Sequence, residues 1–202
     1  DEIDQQRVRW FEEYSVEEFV NILGGTNSHH DVSNGNTLPL ITRPWGFNSY
    51  APQTDEDPIY LPWWFHPSDR RFFGIRVTHQ PSPWIKDYGH FLIKAYFPSD
   101  VKDPFATKDR YTGYSPDQSD FHPYYFATKL FSYGNSAGRI KFELTPSQHG
   151  GIIRVTYPPY IAKEEGDEGN DITAQQIRRI AIALSGIHDF AEVIESPIDG
   201  TA

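Results

Sequence analysis

The chain has 202 residues, 38% of them hydrophobic and 23% charged, with a mean hydropathy of -0.60; this polar but aromatic-rich composition excludes a disordered chain and suffices for one domain with its own core. A net charge of -10, with the 18 Lys and Arg scattered, excludes a nucleic-acid surface, and no run approaches the roughly 18 apolar residues of a membrane-spanning helix. The absence of cysteine excludes disulfides, zinc–thiolate sites and thiol nucleophiles and leaves the redox compartment open.

Aromatic residues reach 15%, beside 16 Pro and 15 Gly, a mixture that predicts many short strands, many turns and stacking surfaces. In chain order, Val8, Phe11, Phe19, Val20 and Leu23 predict one or two short helices before residue 24, with Ser15 as an N-cap and Glu17 and Glu18 in a first turn that favours acids. Gly24 and Gly25 end that pattern, and residues 24–58, rich in Gly, Asn and Pro, read as loop.

From Asp69 onward, short alternating apolar runs predict strands at Phe72–Val77, His90–Phe97, Tyr124–Tyr133, Ile140–Leu144 and Ile152–Tyr157, separated by turn chemistry at residues 81–83, 98–100, 134–135 and 147–151. Repeated strand–turn–strand spacing predicts an antiparallel sandwich. The segment 163–171 (KEEGDEGND) lacks any hydrophobic residue and reads as a solvated loop; its acids do not follow the EF-hand order that calcium would need. Residues 175–184 (QQIRRIAIAL) fit either period poorly, and the sandwich context favours a strand.

Three stretches could carry binding chemistry. In residues 74–91, a strand delivers Thr78, His79 and Gln80 into a Pro-Ser-Pro turn, and Trp84 and Asp87 follow before the next strand. The two prolines stiffen the turn, so polar groups beside it would be held in place. His79 and Asp87 suit either a ligand or a hydrogen-bonded turn lock, and Trp84 either core or a platform for the apolar face of a sugar. Residues 24–54 gather Asn27, His29, His30, Asp31, Asn34, Asn36 and Thr37, the amides and hydroxyls that sugar hydroxyls need; adjacent histidines rarely face one ion, so no metal is assigned. Trp63 and Trp64 would present one ring outward if they lay on a strand, for a sugar or another domain. Asp31, Asp87 and Glu143 lie in separate segments, so no catalytic carboxylate pair is assigned.

Read together, residues 34–54 (NGNTLPLITRPWGFNSYAPQT) and 74–93 (GIRVTHQPSPWIKDYGHFLI) resemble the signature stretches of the N-terminal domain of glycoside hydrolase family 92, and the likeness covers residues 16–160. It implies a mostly β fold, an antiparallel β-sandwich of the supersandwich, galactose-mutarotase-like type with short N-terminal helices. Residues 1–15 would be a helical lead-in and 16–202 the sandwich, incomplete at its C-terminus. Enzymes of this family are calcium-dependent, inverting exo-α-mannosidases whose acid, base and most calcium ligands belong to a C-terminal helical toroid. The resemblance therefore implies a secreted, carbohydrate-facing domain that shapes a mannose-glycan site without supplying its catalytic residues, partnered by the toroid in cis or in trans. On the matching motifs it implies sugar contact by Asn36, Thr37, His79, Gln80 and Trp84. Asn34, standing where the family pattern has histidine, and the longer polar stretch 98–123 depart from the pattern. A stand-alone carbohydrate-binding or structural assembly module is the alternative. The sequence starts at Asp1 without any Met, so a natural start and any signal peptide are expected to lie upstream.

Overall fold

A computed structural model describes residues 15–27, 37–55, 64–81, 89–97, 111–131, 139–158, 178–184 and 191–196, the last six and residues 178 and 184 by backbone alone. Two sheets face each other. The first holds β1 (Ile41–Thr42), β2 (Ser49–Gln53), β4 (Gly74–Thr78), β5 (Phe91–Tyr96), β11 (Arg178–Leu184) and β12 (Ala191–Ser196), in that order. The second runs β10 (Gly151–Thr156), β9 (Arg139–Pro146), β8 (Tyr125–Phe131), β6 (Thr112–Gly113) and β3 (Arg71–Phe72), with β7 (Asp120–His122) also paired to β8. Every pairing is antiparallel. The two sheets do not close on each other, which makes this the expected β-sandwich.

Side chains at alternate strand positions build the layer between the sheets. Ile75 and Val77 of β4 and Ala95 of β5 meet Phe126 and Leu130 of β8 and Ile140, Phe142 and Leu144 of β9. Phe72 sits among rings, with centroids 5.6 Å from Tyr114, 6.3 Å from Phe126 and 5.9 Å from Phe142. Offset and edge-on pairs of this kind add about 0.5–1.5 kcal/mol each beyond the area they bury.

The run 72–77, expected as one strand, is divided. Arg71 and Phe72 pair with β6 in the second sheet, whereas Gly74 to Thr78 pair with β2 and β5 in the first. The chain crosses between sheets at Phe73, and Gly74 (φ +146°) makes the corner. A Cβ there would lie 2.5 Å from the Ile93 carbonyl oxygen, so the approach of β4 to β5 requires glycine.

Elsewhere the expected strands hold with small shifts, and Arg178–Leu184 is a strand. The stretch 24–58 contains β1 and β2, which its loop composition hid. Among the described N-terminal residues the helix is a single 3-10 turn, Val16–Phe19, and the Ser15 side chain contacts Glu17 rather than a backbone amide. Trp64 is interior, 5% exposed beside Leu38, Ala51 and Phe65, and the Arg76 guanidinium lies over its ring at 5.4 Å. Arg76 donates to Gln53 Oε1, and burial lowers its pKa to about 10. Trp63 lies outside the described residues, as do Asp31 and Asp87.

Among the described residues, the outer face of the second sheet carries one buried acid. Glu143, 4% exposed, accepts from Arg154 through Nε and Nη2 at 2.7 Å each, from Lys141 Nζ at 2.8 Å and from Tyr125 Oη at 2.7 Å. The Arg154 guanidinium first, then Lys141 and Tyr125, hold its carboxyl well below the usual carboxylate range against the opposing effect of burial. Tyr125 is pushed up to about 12 by burial and by the carboxylate it faces. Because the folded pKa of Glu143 is depressed, its contribution to stability is complete above the unfolded glutamate pKa of about 4.3 and is lost as pH falls below it. Urea denaturation between pH 7 and pH 3 should therefore show stability falling at the acid end, and Glu143→Gln should flatten that part of the curve; an unchanged slope in the variant would contradict the assignment.

Candidate functional site

The strand register brings four chain segments to one end of the sandwich. Ser49 pairs with Thr78, which sets the β1–β2 turn (43–48) beside the β4 end that carries His79 and Gln80. The Phe47 amide donates to the Gln148 carbonyl at 2.9 Å and Asn48 Nδ2 to the His149 carbonyl at 3.3 Å, which locks the β9–β10 turn against the same loop. The Thr42 amide donates to the Pro123 carbonyl at 2.8 Å, and Thr145 Oγ1 to the Tyr124 carbonyl at 3.0 Å, adding the β7–β8 turn.

The β1–β2 turn is strained. The Gly46 amide donates to the Arg43 carbonyl at 2.8 Å, closing a four-residue turn with Pro44 at its second position. Trp45, at the third, has φ +62°, the one positive φ at a non-glycine residue among those described. Proline excludes the primed turns, so this is a type II turn, in which the third position normally goes to glycine or asparagine. A bulky residue there costs of order 1–3 kcal/mol. The turn leaves the indole 94% exposed, next to Phe47 at 70%, whose ring lies 5.0 Å from that of His149. On the adjoining turn, His122 and Tyr124 stack at 5.3 Å.

The β4–β5 hairpin contributes two imidazoles. The His90 amide donates to the Val77 carbonyl at 2.9 Å, and Gly89 (φ +102°) packs so closely that a Cβ would lie 2.7 Å from Thr78 Oγ1. Fully buried Thr78 and Gly89 thus fix both strand ends, and His79 Nδ1 faces His90 Nε2 at 3.4 Å. Gln80 is exposed beside them.

Of the residues expected to meet sugar, His79 and Gln80 are brought to this end. Thr37 is half-buried and packs on Gly25, its Oγ1 3.0 Å from where a Cβ would stand. Asn36 and Trp84 lie outside the described residues. Trp45, Phe47, His149 and His90 were not singled out in sequence; a tryptophan between proline and glycine in a turn was the available signal.

Among the described residues of these turns none is Asp or Glu, and no group of three or more His, Asp or Glu converges anywhere in the described structure. Calcium takes six to eight oxygen ligands, and the imidazoles and amides of this end do not form such a cage. Glu143 is locked in its ion pairs on the outer face of a sheet, where it cannot give a proton to a leaving group near neutral pH.

The sequence profile of the glycosyl hydrolase family 92 N-terminal domain matches residues 19–177. The chain belongs to this family. Among solved structures, a family 92 inverting mannosidase of Bacteroides thetaiotaomicron is similar at 27% identity and a TM-score of 0.60, over 84% of this chain and 20% of that one. A family 92 α-mannosidase of the same organism, in complex with mannoimidazole, shares the fold at 22% identity and a TM-score of 0.61, with the same coverage. No curated protein sequence matches. The family 92 N-terminal domain described here thus spans about a fifth of the length of those mannosidases.

The strain at Trp45 gives a direct test. In equilibrium denaturation Trp45→Gly should hold or raise stability, by up to about 1 kcal/mol. A loss of more than 1 kcal/mol would show that the indole supports the fold instead of being held out by it.

Proposed function

We propose that this domain is the sugar-facing wall of an α-mannosidase-like glycoside hydrolase, shaping the site while another part of the enzyme supplies the acid and base. The observation that carries the reading is the end of the sandwich itself: an indole held out on a strained turn, with Phe47 against His149 on the same end, His79 and Gln80 at the end of the neighbouring strand, and no carboxylate among the described residues of these turns. Aromatic faces and fixed polar groups suit the apolar face and hydroxyls of a neutral sugar. Inverting hydrolysis needs two carboxyl groups spaced to admit a water, and the described residues offer none at this end.

In this reading Asn36, Thr37, His79, Gln80 and Trp84 contact a mannose-containing glycan, joined by Trp45. The C-terminal helical toroid, in cis or in trans, provides catalysis and the calcium ligands, and the enzyme is secreted. A stand-alone carbohydrate-binding or assembly module would use the same exposed surface without a catalytic partner.

In the full-length protein, Trp45→Ala and Gln80→Ala should each raise KM for an aryl α-mannoside, about tenfold for Trp45, with kcat changed less. The 202-residue chain alone should not hydrolyse it. Hydrolysis by this chain alone, or unchanged KM in both variants, would overturn the proposal.

A further inference from the structure

The histidine pair holds two ring nitrogens close together. His79 Nδ1 and His90 Nε2 stand 3.4 Å apart, a long hydrogen bond whose donor depends on the tautomer. The ring centroids are 5.0 Å apart and the planes tilted by 45°. The nitrogens are therefore closer than the ring centres, and the rings meet through their nitrogen edges instead of stacking face to face.

That separation has a second meaning. Two ligands on a tetrahedral ion with metal–nitrogen bonds of about 2.0–2.1 Å stand about 3.3–3.4 Å apart. The two imidazoles come from opposite ends of one hairpin and are tied down independently: His79 follows fully buried Thr78, and the backbone of His90 is bonded to Val77 behind a glycine that admits no side chain. The separation of the two nitrogens is already that of two ligands on one ion.

The geometry points to His79 and His90 as a bidentate site for a divalent transition-metal ion of the zinc type. Imidazole suits zinc, nickel and copper, whereas calcium requires oxygen ligands, so this site is distinct in chemistry from a calcium centre. A bound ion ties together the two ends of the segment 80–89 and keeps coordination positions for water or an incoming oxygen. The proposal stands without any role in sugar binding, and its test uses metal alone.

Zinc chloride titrated calorimetrically into the 202-residue chain should bind one per chain, with Kd raised at least tenfold in His79→Gln and in His90→Gln. It should be unchanged in His66→Gln, a histidine at the opposite end of the first sheet. In the unmutated protein, zinc should shift the imidazole nitrogen resonances of His79 Nδ1 and His90 Nε2, and calcium should leave them in place. Absence of zinc binding at millimolar concentration, binding that survives both substitutions, or binding that leaves those two resonances unmoved would each overturn the site. A calcium response at the pair would overturn its metal class.

Discussion

The sandwich depends on the approach of β4 to the backbone of β5, where Gly74 leaves no room for a side chain against the Ile93 carbonyl. On one side of that corner Phe72 enters the ring cluster of the second sheet; on the other, Ile75 and Val77 enter the same core from the first. One short peptide thus fixes the spacing of both sheets. It also sets the direction in which β4 runs, and β4 ends at His79. The candidate site is positioned by the same constraint that closes the core.

Two polar features of the domain contrast in energy. Around Glu143 every strong group is satisfied: a carboxylate with both oxygens engaged, on a face where its partners Arg154 and Lys141 reach solvent. Such a network holds a sheet face in place and has no proton to exchange near neutral pH. At Trp45 the local structure is unfavourable, a type II turn with tryptophan where glycine belongs and an indole exposed to water. Nothing in the packing of the described residues repays that cost. Strain of this kind persists where a partner or ligand uses the group it presents, which is why the sugar-facing reading is centred there.

Much of the sheet structure was legible because inward and outward residues alternate: IRV in β4, IKFEL in β9 and IRV (153–155) in β10 display the period of two. The division of 72–77 was not, since a glycine corner within an apolar run reads as continuous strand until the partners are known. β1 and β2 were hidden because their buried positions include Pro52 and Gln53, residues that composition assigns to loops. His79 and Gln80 could be found from the proline-stiffened turn beside them. His90 became a partner of His79 only through the hairpin register, and Phe47 met His149 only through the pairing of two turns about a hundred residues apart.

The central claim is that this end of the sandwich faces the sugar. Its most direct test is the crystal structure of the full-length protein with mannoimidazole, the compound bound in the complex of one similar α-mannosidase. The account predicts the β1–β2 turn and the β4 end on the wall of the occupied site, with the Trp45 ring within about 4 Å of the ligand. A ligand bound elsewhere, with the Trp45 turn facing bulk solvent, would contradict it.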